Sequence, residues 1–84
     1  MKEATTKDCM QVLDEIYQLA LTKDNIFGAV RFVTDDQNLL AALDILVFNG
    51  YLTFTDDMQV KITTEGIGAR INGFGNAIKI YDQL

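Results

Sequence analysis

The stretch from residue 50 to residue 66, GYLTFTDDMQVKITTEG, narrows the possible folds of this chain more than any other. "YLTFT" and "QVKIT" each alternate apolar and polar residues, the period of a half-buried strand, and "DDM" between them has the composition of a turn. The pattern predicts a β-hairpin with a loop of about three residues. Asn49 and Gly50 just before it form a helix stop, and Thr63 just after it can cap a further helix. The hairpin is therefore expected between two helices.

Upstream, Thr5 and Thr6 lead into "KDCMQVLDEIYQLA", with Asp8 three residues after Thr5 as in a capping box. Cys9, Val12, Leu13, Ile16 and Ala20 recur at helical spacing and predict one apolar face on a helix ending near Leu21. "TKDNIFGAVRFVT" reads two ways. Asn25 can cap a short second helix carrying Ile26, Val30 and Val33, the reading favoured here, while "AVRFVT" has the β-branched composition of a brief strand. "TDDQ" at residues 34–37 matches a second capping box, and Leu39, Leu43 and Leu46 then mark the inward face of a third helix. With those leucines inward, a wheel of 100° per residue turns Gln37, Ala41, Asp44, Ile45 and Phe48 outward.

The last predicted helix, about residues 64–82, is unusual. Ile67, Ile71, Phe74, Ile78 and Tyr81 form a heptad-like stripe flanked by Gly66, Gly68, Gly73 and Gly75. Each glycine costs a helix about 1 kcal/mol relative to alanine. Either the helix breaks near residues 72–75, or the glycines admit another backbone at close range.

The chain is expected to be one domain over residues 1–84, with a core over about 8–66, since 84 residues leave no room for a second. One cysteine, Cys9, and no histidine exclude an internal disulfide and a Cys/His metal cluster, and favour a reducing, cytoplasmic setting. No apolar run reaches the length of a membrane span. Cys9 lacks a histidine to activate it and reads as a buried thiol. "GIGARINGFGN" fits neither phosphate-binding glycine pattern. No nucleophile–base or metal constellation stands out, so a non-enzymatic protein without cofactor or small-molecule ligand is expected.

The order helix, short element, capped helix ending "LDILVFNGYL", hairpin, then "VKITTEG" opening a last helix resembles the winged helix-turn-helix superfamily. It is similar in particular to small bacterial and phage winged-helix regulators, at Leu43, Leu46, Gly50, Tyr51 and Leu52 and again at Ile62, Thr63 and Gly66. The resemblance covers roughly residues 8–70. It implies an α+β fold: a three-helix core, an antiparallel wing of two or three strands and a C-terminal helix. It also implies a DNA-binding role, with the third helix in the major groove and the wing on phosphate or in the minor groove.

The charges run against that role. The net charge is −5, and no lysine or arginine occurs from Asp35 through Val60, where Asp35, Asp36, Asp44, Asp56 and Asp57 all lie. Duplex DNA is bound largely by neutralising its phosphates, and these positions would be repelled. The aspartates themselves read as helix-start and turn residues rather than ligands. The leading expectation is a protein-contact module, homodimeric through its last helix, with Ile45, Phe48, Ile71, Phe74, Ile78 and Tyr81 as contact residues. One alternative is a DNA-binding regulator in which Gln37 and Asn38 reach the groove and Arg31, Lys61 and Arg70 meet phosphate. Another is an acidic inhibitor that imitates nucleic acid, with the five aspartates on one surface.

Overall fold

A computed structural model describes residues 4–74 of the chain. The described elements are α1 (Thr6–Leu21), α2 (Gln37–Phe48), β1 (Leu52–Phe54), β2 (Val60–Ile62) and α3 (Thr64–Asn72). The fold is α+β, with three helices around a two-stranded antiparallel sheet, a layout compatible with a winged helix.

The first helix forms as its sequence directs. The Thr5 hydroxyl accepts the Asp8 N–H at 3.1 Å and the Asp8 carboxylate accepts the Thr5 N–H at 2.9 Å, closing a full capping box. The predicted stripe of Cys9, Val12, Leu13, Ile16 and Ala20 is wholly buried and forms the centre of the core.

Residues 25–33 correct the expectation of a short helix. Asn25 organises a turn, its side-chain oxygen accepting the Phe27 N–H at 3.1 Å and its carbonyl the Gly28 N–H at 2.9 Å. Val30 then pairs with Val60 as an isolated antiparallel bridge, exchanging both main-chain bonds at 2.8 Å. No strand is formed over the run either: the extended alternative is met only at this one bridge, where Val30 reaches the outer side of β2. One helix, not two, thus stands between α1 and the hairpin.

Two corrections concern α2. Its N-cap is Asp36, whose carboxylate accepts the Asn38 N–H at 2.8 Å and the Leu39 N–H at 3.4 Å, while Thr34 instead accepts the Asp36 N–H. A carboxylate nearer the helix displaces the threonine as the cap, and Asp35 and Asp36 precede the first turn rather than lying in it. Ile45 is also buried, at 2% exposure, alongside Leu39, Ala42, Leu43 and Leu46. A helix this apolar has no broad polar face to orient a wheel, and its core-facing sector is wider than a leucine stripe. The outward face is Gln37, Leu40, Asp44 and Phe48.

The hairpin matches its expected loop. The pairs Leu52 with Ile62, Thr53 with Lys61 and Phe54 with Val60 are closed at the tip by Thr55 N–H donating to the Gln59 carbonyl at 2.9 Å. The loop is Asp56, Asp57 and Met58, with Met58 in the left-handed region at φ 61°.

Helix and hairpin are joined tightly. Gly50 takes φ 83°, its N–H donates to the Val47 carbonyl, and the Tyr51 N–H donates to the Leu46 carbonyl at 2.9 Å, a Schellman ending. Across the joint, Thr63 donates its N–H to the Tyr51 carbonyl and its hydroxyl to the Gly50 carbonyl at 2.6 Å. The same hydroxyl accepts the Gly66 N–H at 3.0 Å and starts α3. Gly66 packs so closely here that a Cβ would overlap the Tyr51 carbonyl oxygen.

The last helix stops at Asn72, followed by Gly73 at φ 80°. Of the two readings of the glycines, the break near residues 72–75 is the one found, so the helix does not run on unbroken toward residue 82 and Phe74 is taken off its stripe. Phe74 folds back into the core at 5% exposure, its ring centroid 5.1 Å from that of Tyr51. Ile78 and Tyr81 lie outside the described residues.

Two glycines of α3 separate these effects. Gly66→Ala should lower unfolding free energy by about 1–3 kcal/mol through forced displacement of the Tyr51 backbone. Gly68 faces open space, so Gly68→Ala should raise it by about 0.5–1 kcal/mol through helix propensity. Urea denaturation of both variants checks the opposite signs.

Candidate interaction surface

The outward face of α2 is where the winged-helix resemblance places a groove-reading surface. Gln37 is exposed there, as the regulator reading needs. Asn38 is turned the other way: its N–H is held by the Asp36 cap and its side-chain oxygen is buried without a hydrogen-bond partner. Asp44 is exposed, and the apolar residues of this face are Leu40 at 38% and Phe48 at 58% exposure. The face presents one carboxylate and no cation.

Among the described residues, Arg31, Lys61 and Arg70 do not belong to this face. The Arg70 guanidinium meets Asp14 through both Nη2, at 2.8 Å, and Nε, at 2.9 Å, and lies 3.9 Å from the centroid of the Tyr17 ring. Its charge ties the end of α3 to the middle of α1, in an ion pair whose side chains stay partly exposed. Arg31 and Lys61 are exposed on the sheet, where alternation from the inward Val30 and Val60 turns both away from the core. They are therefore not on the α2 face.

The hairpin tip is acidic and apolar together. Asp56 and Asp57 are exposed, and beside them Met58 is 81% exposed. Phe54 at the end of β1 adds a ring that is 44% exposed. The sequence marked the aspartates but missed Met58, whose signal was a long apolar side chain in a loop position that suits glycine or asparagine.

Of the contact residues expected from sequence, Phe48 and Ile71, the latter at 70% exposure, reach the surface. Ile45 and Phe74 are core residues and leave the set.

Two shallow hollows flank α1. One, of about 450 Å³, is lined by Lys7, Met10, Gln11, Asp14 and Arg70, and the other, of about 320 Å³, by Asp14, Glu15, Gln18, Leu19 and Thr22. Neither lining pairs a nucleophile with a base. Among the described residues no group of three or more acidic or cysteine side chains is placed to hold a metal ion, and no helix is long and apolar enough to cross a membrane.

No family model, curated protein or solved structure matches the chain.

Cys9 is fully buried, and its thiol is pushed up to about 11, first by desolvation and then by the charge of Asp8. The unfolded thiol ionises near its ordinary value of 9.0 while the folded one stays protonated. Above that pH the unfolded state binds fewer protons, so stability is complete below pH 9 and declines as pH rises toward 11. The loss should reach about 1 kcal/mol at about pH 10. Comparing urea unfolding of the wild type and Cys9→Ala at about pH 8 and about pH 10 isolates it, because everything but the thiol is common to the two chains.

Proposed function

We propose that this chain is a winged-helix-like, non-enzymatic interaction module that works through protein contacts, as a homodimer, rather than by reading DNA. The observation that carries the reading is the outward face of α2, where Asp44 is the one charged side chain and Leu40 and Phe48 are exposed. A groove-reading helix needs donors and cations there, both to find the duplex and to replace its counterions. The hairpin tip repeats the pattern, with Asp56 and Asp57 around an exposed Met58. Carboxylates around apolar side chains suit a protein surface, where apolar contact supplies affinity and the charges select the partner.

Further support comes from two losses. Arg70 is committed to Asp14 and Tyr17, which leaves Arg31 and Lys61 as the cations of the sheet region. A single helix stands between the Val30 bridge and the hairpin, whereas a helix-turn-helix uses a first helix across the backbone to set the second in the groove.

Titration into a labelled random duplex, followed by anisotropy from low to physiological salt, tests the reading. No binding at low salt is expected. Micromolar binding that falls steeply with salt would overturn the proposal and favour the DNA-binding regulator.

A further inference from the structure

Residues 31–35, RFVTD, behave as a strand whose outer edge has no partner. From Val30 to Asp35 burial alternates strictly: Val30 is buried, Arg31 exposed, Phe32 half-buried, Val33 exposed, Thr34 half-buried and Asp35 exposed. The composition is that of a strand, rich in β-branched and aromatic residues. Yet among the described residues no hydrogen bond uses the main-chain N–H or C=O of residues 31–35. The segment leaves the sheet after the Val30 bridge, and its one hydrogen bond to the described residues is made through the Thr34 side chain.

The direction of the unused groups follows from the bridge. Val30 points both its N–H and its C=O at Val60, and in an extended chain successive residues point theirs to opposite edges. Continued extended, as the burial alternation over residues 30–35 implies, the chain turns the main-chain groups of Arg31, Val33 and Asp35 to the side away from β2. Their side chains stand on the outward face, with Val33 78% exposed.

We infer that this edge binds the same edge of a second copy of the chain, antiparallel and centred on Val33. The inference rests on the reading of the chain as a protein-contact module and names its partner and surface. Charge selects the occupant. With the two-fold axis at Val33, Arg31 lies opposite Asp35 of the partner subunit, and Asp35 opposite Arg31 of the partner subunit. Val33 meets Val33 of the partner subunit at the centre. Each of these is a narrow pair, in which the two residues exchange both main-chain bonds, so hydrogen-bond phase and charge agree on one register.

Other arrangements lose one or both terms. A parallel pairing sets Arg31 beside Arg31 and Asp35 beside Asp35. An antiparallel slip of two residues leaves the ion pairs unmade and sets Val33 against a charged residue. An edge of this length buries less than about 1,000 Å², so the dimer is weak and its population rises with concentration. The edge also lacks the proline or lysine that natural sheets use to block such pairing.

The test is sedimentation equilibrium over a concentration series with two charge reversals, Arg31→Asp and Asp35→Arg. Both substituted side chains are exposed, and circular dichroism checks that both variants fold. The wild type should show mass rising with concentration, and each variant alone should dimerise at least about tenfold more weakly, because it places like charges at both pairs. An equimolar mixture of the two variants should regain association, since an edge acidic at both positions then faces an edge basic at both. Variants that dimerise as well as the wild type, or a mixture that gains nothing, would overturn this edge as the contact. A wild type that stays monomeric up to millimolar concentration would overturn the second copy as its occupant and leave an extended segment of another protein. None of these outcomes decides whether duplex DNA is bound, which the anisotropy titration reads separately.

Discussion

The Tyr51 carbonyl ties the fold together. It receives the Thr63 N–H, it is approached by Gly66 too closely for any side chain, and its residue packs a ring against Phe74. On one side, the Schellman ending at Gly50 fixes the angle at which α2 passes into β1. On the other, the Thr63 hydroxyl holds the Gly50 carbonyl while capping α3. Four elements are thereby locked within a few residues of backbone, and the apolar faces of α1 and α2 close against a frame set by hydrogen bonds. The Gly-Tyr-Leu and Ile-Thr-x-x-Gly pattern in the sequence is the chemical requirement of this joint: a left-handed glycine, a capping hydroxyl and a residue with no Cβ.

That explains which parts of the fold were legible in the sequence. The start of α1, the hairpin loop and the start of α3 are written in local signals, because each is specified by a side chain within three or four residues of the backbone it bonds. Residues 29–35, beyond the Asn25 turn, are not local in this sense. Their fate is decided by Val60, far along the chain from Val30, and short apolar runs carry no periodic signal that could show it. The outward face of α2 is illegible for a different reason, since a helix with Leu, Ala, Ile and Val on most sides gives no polar arc to orient it, and Ile45 belongs to the core side. At the other end, the stripe from Ile67 to Tyr81 kept its spacing in sequence, while Gly73 ended the helix inside it and sent Phe74 into the core.

The candidate surface was legible in its charge and hidden in its geometry. The absence of lysine and arginine between Asp35 and Val60 is a sequence fact, and it already weighs against phosphate. That Arg70 commits its guanidinium to Asp14 and Tyr17, more than fifty positions upstream, needs the packing of α3 on α1 to be seen. The open edge at residues 31–35 was present in the sequence as a β-branched run with ambiguous periodicity. What the sequence lacked was the Val30 bridge, which sets the phase of that run and shows which of its main-chain groups have nothing to bond.

Whether this molecule meets protein rather than phosphate can be decided by chemical-shift mapping of one isotope-labelled sample. Spectra would be recorded as protein concentration is raised, and then with duplex DNA at low salt. Concentration-dependent shifts at Arg31, Val33 and Asp35, with no change on adding DNA, are expected. Shifts at Gln37, Asp44 and Lys61 on adding DNA, with a spectrum otherwise indifferent to protein concentration, would refute the protein-contact reading.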